Sequence, residues 1–455
     1  MIDEILGYTS TYLTSQQKEN RKQKGQFFTT ENIAKFMAAK SSCKADHLSI
    51  LDPGAGNGLL AATVVEYCVD NSLCNSFSIT YVENDPEVMP VLDQTAAILT
   101  EYVQRNHGII DVEILTYNYI LNVNKKRYDI VICNPPYKKI RKDAEESVAM
   151  KEYVHGQPNL YGLFMCKALE NLKNGGRYVF ITPRSWTSGA YYEKVRQCLF
   201  QNLNLTDILL FTNRENVFGK EDVLQETMIT CGVKGITQER YINIYTSTET
   251  IFSPIQMEVP TDIIKNVSDH HYLLLPATEK DLEVIVKMTS IKDTFESLGY
   301  GFKTGPVVEF RNKDLISKQK GKGLLPMYRS ANIVDGKFVF PAKADKPQYV
   351  QCTSPSLLIK NENTVLLRRL SAKEEKRRLQ SCIYYKKGIN HYISIENHVN
   401  YLVHTDGTPL SEAEVEWIQD VLMSEDYDIY FRIINGSTQV NASELNKLPL
   451  QRRTL

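Results

Sequence analysis

An apolar run that ends in a glycine-rich turn decides the fold: residues 48–58 have the sequence LSILDPGAGNG. A helical pattern, residues 59–69, follows the turn directly. Strand, tight turn and helix in this order form the first unit of a parallel α/β sheet. Glycines at alternate positions let the backbone of such a turn approach a ligand closely, beside a helix N-terminus. The segment therefore predicts a nucleotide-binding type of sheet.

The same alternation continues outward from this segment, between residues 48 and 245. The predicted strands are Leu48–Leu51, Phe77–Val82, Val112–Leu115, Tyr128–Cys133, Arg177–Thr182, Thr206–Phe211, Glu226–Val233 and Tyr241–Tyr245. The predicted helices are Leu59–Val69, Pro86–Gln104, Leu160–Leu172 and Tyr191–Phe200, preceded by one that Thr29 or Thr30 can cap. After about residue 250 the alternation is lost. We expect two domains, 1–250 and 251–455.

The glycine turn favours S-adenosylmethionine over a nicotinamide cofactor. Its spacing is G-x-G-x-G, unlike the G-x-G-x-x-G of dinucleotide folds, and an acidic residue, Asp52, precedes it. A carboxylate there would repel a pyrophosphate but attract the amino group of an amino-acid-like cofactor. Glu83 ends the second strand, where a carboxylate can accept both ribose hydroxyls. The plainer alternative is a tight turn and a solvated carboxylate.

The fourth strand runs straight into Asn134-Pro135-Pro136-Tyr137. Two prolines fix φ and remove two backbone donors, which leaves a stiff turn whose carbonyls and Asn134 side chain face the crevice beyond the strand ends. Asn134 Oδ1 and the Pro135 carbonyl can accept both protons of a planar amino group. Tyr137 would stack on the ring that carries this group. Alone, the tetrapeptide could be a simple turn; after strand four of such a sheet it predicts amino methylation, with no metal.

Composition and charge narrow the setting. Hydrophobic residues make up 42% of the 455 residues, and the nine cysteines are scattered without metal-binding spacing, which indicates reduced thiols. No apolar run is long enough for a membrane span, and the first residues lack a secretory pattern. We expect a cytoplasmic protein. The net charge is −1, yet residues 301–400 hold 19 Lys and Arg against 8 Asp and Glu.

These motifs resemble, in order, those of the gamma-class N6-adenine DNA methyltransferases of bacterial restriction-modification systems. The resemblance covers residues 24–233. It rests on the segments Lys24–Thr30, Asp52–Gly58, Glu83–Pro86, Asn134–Tyr137 and Asn159–Phe164. It implies a Rossmann-like S-adenosylmethionine-dependent sheet with helices on both faces. A mixed α+β target-recognition domain would follow.

The resemblance also implies roles for individual residues. Thr29 and Asp52 would contact the methionine portion of S-adenosylmethionine beside Gly54 and Gly56, and Glu83 would bind the ribose. Phe164 and Tyr119 would belong to the adenine pocket. The family usually has an Asp near the cofactor adenine, after the third strand, where this chain has Asn118, an amide that can both accept and donate a hydrogen bond. Asn134, Pro135, Pro136 and Tyr137 would bind a flipped adenine, with Phe218 against its other face or, alternatively, in the core.

The expected partner is double-stranded DNA, because a buried adenine must be extruded and the backbone gripped on both sides. The candidate phosphate contacts, or else solvated faces, are Lys18, Arg21, Lys22, Lys24, Lys318, Lys320, Lys322, Arg329, Arg368, Arg369, Lys376, Arg377 and Arg378. The polar run 432–441 would either contact DNA or join two elements.

Two alternatives remain open. The same turn serves enzymes that methylate exocyclic amines of RNA or glutamine in proteins, and a catalytically inactive DNA-binding protein could keep this scaffold. The long basic C-terminal region favours DNA. Any cleavage would belong to a separate restriction endonuclease, and we expect a monomer.

Overall fold

The computed structural model describes residues 1–15, 25, 27–123, 125–211, 226–235, 240–247, 254–266, 272–342, 345–351, 354–372 and 374–453. The chain forms two compact units, Met1–Ala277 and Thr278–Leu455. The predicted boundary near residue 250 lies inside the first unit. The reason is a strand that follows residue 250 and pairs with the sheet of that unit.

A nine-stranded sheet forms the centre of the described part of the first unit. Its strands are β1 Leu48–Pro53, β2 Ser76–Val82, β3 Ile109–Leu115, β4 Tyr128–Cys133, β5 Leu172–Pro183, β6 Leu203–Phe211, β7 Thr227–Lys234, β8 Tyr241–Ser247 and β9 Ile255–Pro260. Their order is β3-β2-β1-β4-β5-β7-β6-β8-β9. Each of the eight predicted strands is present, whereas β9 was not predicted.

The sheet is parallel only in part. Strands β1 to β5 run parallel to one another, but β7 lies antiparallel to both β5 and β6, and β9 is antiparallel to β8. The sequence pattern predicted a parallel sheet throughout. It could not separate the two directions because β7 is buried over most of its length and is as apolar as a parallel strand.

Helices cover both faces of this sheet. They are α1 Ile2–Ser15, α2 Glu31–Ser41, α3 Leu59–Asp70, α4 Met89–Arg105, α5 Glu145–Ala149, α6 Leu160–Glu170, α7 Glu193–Asn202 and α8 Thr261–Ile264. Ile130 and Ile132 of β4 share one core with α1, α2 and α3. Tyr178 and Phe180 of β5 stack on each other and alternate with Val179 and Ile181, which belong to that core. They therefore point to the opposite face.

The second unit is a mixed α+β structure. Its helices are α9 Glu279–Ser290, α10 Glu412–Met423, α11 Glu425–Ile434 and α12 Ala442–Asn446. After the short first-unit strands β10 Lys265–Asn266 and β11 Tyr272–Leu273, its strands are β12 Tyr300–Thr304, β13 Ile316–Ser317, β14 Leu325–Tyr328, β15 Ile333–Val334, β16 Lys337–Phe338, β17 Tyr349–Val350, β18 Ile359–Lys360, β19 Thr364–Arg368, β20 Ser381–Tyr384, β21 Tyr392–Ile395 and β22 Val399–His404. Two sheets carry most of them, in the orders β12-β22-β19-β20 and β13-β17-β14-β21-β18.

Two smaller expectations can be compared with the described residues. Eight of the nine cysteines are described, and all eight are free thiols. No described helix has both the length and the apolar character that crossing a bilayer requires.

Gly58 closes the glycine-rich turn and begins α3 in the left-handed region, at φ 74°. A Cβ at this position would lie 2.8 Å from Leu92 Cδ1 and 3.0 Å from Thr95 Cγ2 on α4. Any other residue would therefore suffer both backbone strain and a clash with α4. At Gly58 the turn therefore packs so closely against the side chains of α4 that no room is left for a Cβ.

We expect Gly58→Ala to destabilise the first unit by about 2–5 kcal/mol, since the left-handed penalty and overpacking add. Gly175→Ala is the matched control because Gly175 also has a positive φ, 78°, but no atom near its Cβ position. It should cost about 1–2 kcal/mol. Urea unfolding is followed by the fluorescence of buried Trp186 in a Trp417→Phe background. Equal losses for the two alanine variants would contradict the steric argument.

Candidate cofactor cavity and catalytic turn

A cavity of about 520 Å³ lies where β1 to β4 end. It brings together residues from loops that are far apart in the sequence. Its lining includes Gly25, Phe27, Phe28, Thr29, Gly54, Gly56, Asn57, Glu83, Asn118, Tyr119, Asn134, Pro136, Lys138, Glu146 and Phe164. Nine residues predicted for the site are among them: Thr29, Gly54, Gly56, Glu83, Asn118, Tyr119, Asn134, Pro136 and Phe164. Asp52, Pro135 and Tyr137 lie beside the cavity without lining it.

Four of the five backbone N–H groups of the glycine turn, residues 54–58, donate hydrogen bonds within the protein. Gly54 N and Ala55 N donate to the carbonyl of Val82, at 2.7 and 3.0 Å, and Gly58 N donates to the Ala55 carbonyl. Gly56 N donates to Glu83 Oε2 at 2.9 Å. A pyrophosphate site needs such N–H groups to be free. The turn is therefore unsuited to cradle phosphates, which agrees with the inference from its spacing.

Glu83 presents a held carboxylate to the cavity. Besides Gly56 N, the backbone N–H groups of Asn84 and Asp85 donate to its Oε1, at 2.8 and 2.9 Å. Burial raises the pKa of Glu83 above its ordinary value, and these three hydrogen bonds oppose that shift. Carboxylate oxygens have about four acceptor sites, so Glu83 keeps capacity for a hydroxyl donor.

Asp52 lies beneath the turn. Its side chain is buried, with 1% of the residue exposed, and neither oxygen has a well-formed hydrogen bond among the described residues. Burial raises the pKa of Asp52 well above its ordinary value, while the Ala61 backbone N–H in the first turn of α3 opposes the shift only in part. Because Asp52 does not line the cavity, its side chain is not placed for the predicted direct contact with the methionine portion of a cofactor.

The Asn134 side chain is fixed by the N-terminal motif. Its Nδ2 donates to the Phe27 carbonyl at 2.7 Å and to Thr29 Oγ1 at 3.1 Å. Both amide protons are thereby used, which determines the orientation of the amide. No described group donates to Oδ1, so the oxygen remains available as an acceptor. Thr29 thus does not cap α2; Thr30 takes the cap position without a capping hydrogen bond.

The two proline carbonyls of the turn differ. The Pro136 carbonyl accepts from Lys138 N at 3.0 Å, whereas no described group donates to the Pro135 carbonyl. Tyr137 N donates to the Gly25 carbonyl, and a Cβ on Gly25 would lie 3.1 Å from the Tyr137 backbone. The backbones of the N-terminal motif and of the turn are therefore in direct contact.

The Tyr137 ring packs beside the cavity. Its hydroxyl donates to the Ile181 carbonyl at 3.1 Å, and its ring lies 5.6 Å from that of Phe27 and 6.1 Å from that of Tyr161. The ring is half-buried rather than projecting into the cavity. Phe218, the second aromatic predicted for the base, lies outside the described residues.

The loop after β3 contributes an aromatic and polar wall. The rings of Tyr119 and Phe164 lie 5.1 Å apart. Asn118 Oδ1 accepts from Ile120 N at 3.1 Å, and Asn118 Nδ2 donates to Glu146 Oε1 at 2.9 Å. Glu146 and Lys138 also line the cavity and were not predicted from the sequence. Glu146 belongs to a segment without a motif, so only the folded chain brings it to the cavity.

Comparison with known proteins fits this geometry. Residues 75–218 match the family model of the Eco57I restriction-modification methylase. A type II methyltransferase of Bacillus subtilis, M.BsuBI, is 30% identical over 450 residues, which cover 96% of this chain and 89% of the relative. M.PstI of Providencia stuartii is 32% identical, over 94% and 87% of the two chains.

The chain belongs to the restriction-modification DNA methyltransferases. Its cofactor is S-adenosylmethionine. In fold, the chain is similar to the type IIL restriction-modification enzyme MmeI, solved in complex with DNA. That likeness has a TM-score of 0.56 at 10% identity and covers 97% of this chain and 65% of that one. The Rossmann-like prediction is confirmed.

The cavity of this methyltransferase fits S-adenosylmethionine chemically. The cofactor carries a positive charge, ribose hydroxyls and a purine, and it has no phosphate. The cavity offers the Glu83 carboxylate, the aromatic side chains of Phe28, Tyr119 and Phe164, and a turn in which four of five backbone N–H groups already donate within the protein. These residues match the cofactor and would not suit a dinucleotide.

In the second unit, two arginines predicted to contact phosphates are buried instead. Arg329 is 4% exposed and bonds to Glu309 and the Pro347 carbonyl, and Arg378 is 0% exposed and donates to the Ser437 carbonyl at 2.6 Å. Arg368, Arg369 and Arg377 each donate to a backbone carbonyl. Lys318, Lys320, Lys322 and Lys376 are exposed, whereas Lys18, Arg21, Lys22 and Lys24 lie outside the described residues.

The polar run 432–441 forms the end of α11 and a turn into α12. Asn435 is buried, and its amide donates to the Gln439 carbonyl and to Glu444. Residues 436–439 are exposed. Joining two elements is therefore a role that this run fulfils, through Asn435.

We expect Asp52→Asn to stabilise the cofactor-free chain, because Asn removes a buried, unpaired acid whose ionised form costs on the order of 1–3 kcal/mol or more. The raised pKa means that the folded state binds the extra proton, so wild-type stability falls as pH rises above the unfolded value of 3.8. The gain in melting temperature should therefore grow between pH 5 and pH 8.

Asp129→Asn is the control, and we expect its change in stability to have the opposite sign. Burial raises the pKa of Asp129, but hydrogen bonds from Ser49 and Lys173 outweigh it and leave that pKa lowered. This variant should lose stability, by the same amount throughout pH 5–8, because both of its pKa values lie below that window. Thermal unfolding of both variants at pH 5, 6.5 and 8 tests the pair. A gain for Asp52→Asn that does not change with pH would contradict the assignment.

Proposed function

We propose that this methyltransferase transfers the methyl group of S-adenosylmethionine to the N6 amino group of adenine at a specific DNA sequence. The observation that carries the proposal is the Asn134 amide, whose two N–H groups are held by Phe27 and Thr29 while its oxygen stays open to the cavity. An acceptor with a fixed direction is what an exocyclic amino group requires. The Pro135 carbonyl, to which no described group donates, supplies a second acceptor on the same turn.

When bound, S-adenosylmethionine supplies a methyl group on a positively charged sulfur, which leaves with the electron pair of the broken bond. Asn134 Oδ1 and the Pro135 carbonyl accept the two N–H groups of the target amine. This pulls the nitrogen lone pair out of conjugation with the ring and directs it into the cavity. After the new N–C bond forms, the nitrogen loses one proton to solvent. The turn works by alignment, because a sulfonium needs little further activation.

Glu83 would hold the ribose of the cofactor, and Phe164 and Tyr119 would contact its adenine. Gly54 and Gly56 allow its close approach to the turn. Thr29 acts on the target side by holding Asn134, in addition to the cofactor contact that the sequence suggests. Asp52 supports the turn from below.

The target adenine leaves the helix to reach Asn134. In a duplex, its amino group is paired and cannot enter a recess at strand ends, so extrusion is required at a cost of a few kcal/mol. Tyr137 offers aromatic surface to the extruded ring. Its contacts with Phe27, Tyr161 and the Ile181 carbonyl hold it beside the turn. Phe218 is assigned to the opposite face of the base.

The second unit, 278–455, recognises the target sequence. Exposed Lys320, Lys322 and Lys376 are its candidate phosphate contacts, since each neutralised phosphate strengthens binding at low salt. In the two-part system that we envisage, this cytoplasmic chain acts as a monomer and protects sites that a separate restriction endonuclease cleaves.

Labelled S-adenosylmethionine, unmethylated genomic DNA and the full chain provide the decisive test, followed by nucleoside analysis of the product. We expect N6-methyladenine, and a loss of at least about 100-fold in rate for Asn134→Ala, since one aligned acceptor of this kind contributes that much.

The same assay distinguishes the alternatives. N4-methylcytosine as the product would overturn adenine specificity but keep amino methylation. Label in RNA or protein but not in DNA would overturn the assignment of the second unit. Cofactor binding without transfer to any of these acceptors would indicate an inactive scaffold.

Thr29 provides a finer test. We expect Thr29→Val to lower the single-turnover rate about 5- to 10-fold at saturating cofactor, because one hydrogen bond that orients Asn134 is lost, worth about 1 kcal/mol. Thr29→Ser keeps the hydroxyl and should retain most of the rate. If both variants slowed equally, the hydroxyl would not be what orients the amide.

A further inference from the structure

The order of the strands determines the order in which the loops after them lie along the cavity. Asn134 follows β4, the glycine turn follows β1, Glu83 follows β2 and Asn118 follows β3. Neighbouring strands lie about 4.8 Å apart, so the ends of β4 and β3 are separated by roughly 14 Å. If the methyl group faces Asn134, as the proposed function requires, the purine of the cofactor reaches the loop after β3. The purine end is therefore the wall that contains Asn118.

Glu146 stands at this end of the cavity. It comes from α5, beyond the catalytic turn, and Asn118 Nδ2 holds its Oε1 at 2.9 Å. No described group bonds to Oε2. Asn118 cannot itself be a purely accepting group, since it is an amide that already donates to Glu146 and accepts from Ile120 N. The strongest acceptor beside Asn118 is consequently the Glu146 carboxylate.

We infer that Glu146 recognises the exocyclic amino group of the cofactor's adenine and that Asn118 positions the Glu146 carboxylate for this contact. An ionised carboxylate only accepts hydrogen bonds, and the amino group of adenine donates them. Glu83, which also lines the cavity, already accepts three backbone N–H groups and lies at the ribose position. The negatively charged Glu146 carboxylate thus lies in the wall of the cavity that also contains the Asn118 amide.

This assignment predicts which purines the cavity accepts. A hypoxanthine base has a carbonyl oxygen where adenine has its amino group, so it would set an acceptor against the Glu146 carboxylate. Sites built around a donor reject analogues that lack it, because a buried group is left unpaired. A Gln at position 146 can donate to that carbonyl as well as accept from an amine. The substitution Glu146→Gln should therefore change purine preference and not only weaken binding.

Calorimetric titration of the full chain with S-adenosylhomocysteine and with S-inosylhomocysteine measures this preference without DNA and without methyl transfer. For the wild type we expect the adenine ligand to bind at least about 50-fold more tightly. For Glu146→Gln that ratio should fall below about 5, with tighter binding of the inosine ligand than in the wild type. Glu145→Gln, an exposed neighbour on α5 that does not line the cavity, is the matched control and should keep the wild-type ratio.

The role of Asn118 is tested by comparing the single variants of Asn118 and Glu146 with the double variant. Asn118→Ala should lower the ratio partly, and adding it to Glu146→Gln should change the ratio no further. Glu146→Ala provides a second route if the Gln variant unfolds, and it should also lose the preference. A wild-type ratio retained in Glu146→Gln or Glu146→Ala would overturn the inference.

The inference rests on the proposed function through the placement of the methyl group, yet the two fail differently. If Glu146→Gln keeps its preference while Asn134→Ala abolishes methylation, only the assignment of Glu146 falls. If Asn134→Ala still methylates DNA, the proposed mechanism falls, whatever calorimetry shows.

Discussion

Strand β1 pairs in parallel with β2 on one side and with β4 on the other, and β3 extends the arrangement beyond β2. Parallel strands end at the same edge, so the four loops that follow them have to share one space. Four groups of the cavity derive their places from this constraint. The glycine turn, Glu83, Asn118 and Asn134 are separated by up to 80 residues in the chain, but they are neighbours at the edge of the sheet.

Much of the first unit was predictable, because buried strands and amphipathic helices leave strong periodic patterns. The strand before Asn134 is an example: it is apolar, bounded by a turn and followed by two prolines. Strand β9 left no such pattern, since Ile255 and Gln256 are exposed and the strand borders the sheet with one neighbour. Missing it shifted the predicted boundary to residue 250.

The site was predictable at its motifs and not between them. The spacing of the motifs predicted that the glycine turn, Glu83 and Asn134 lie together. Spacing does not show which way a side chain points, so the burial of Asp52 beneath the turn was not predicted. The arginines show the same limit. Arg378 and Lys376 are two residues apart and both cationic, yet Arg378 is buried against a carbonyl and Lys376 is exposed. Nothing in the sequence distinguishes Glu146 from the other glutamates. Only its place in the cavity and the hydrogen bond from Asn118 do so.

The contact between Gly25 and the Tyr137 backbone makes the Asn134 turn dependent on a distant part of the chain. The acceptor on Asn134 has its direction only after the segment around residues 25–29 has docked on a turn more than a hundred residues later in the chain. The pairing of the central strands does not involve this segment, so the sheet and the direction of the acceptor depend on different parts of the chain. A change that displaces this short segment would therefore leave the folded scaffold in place and release the Asn134 amide from its fixed direction.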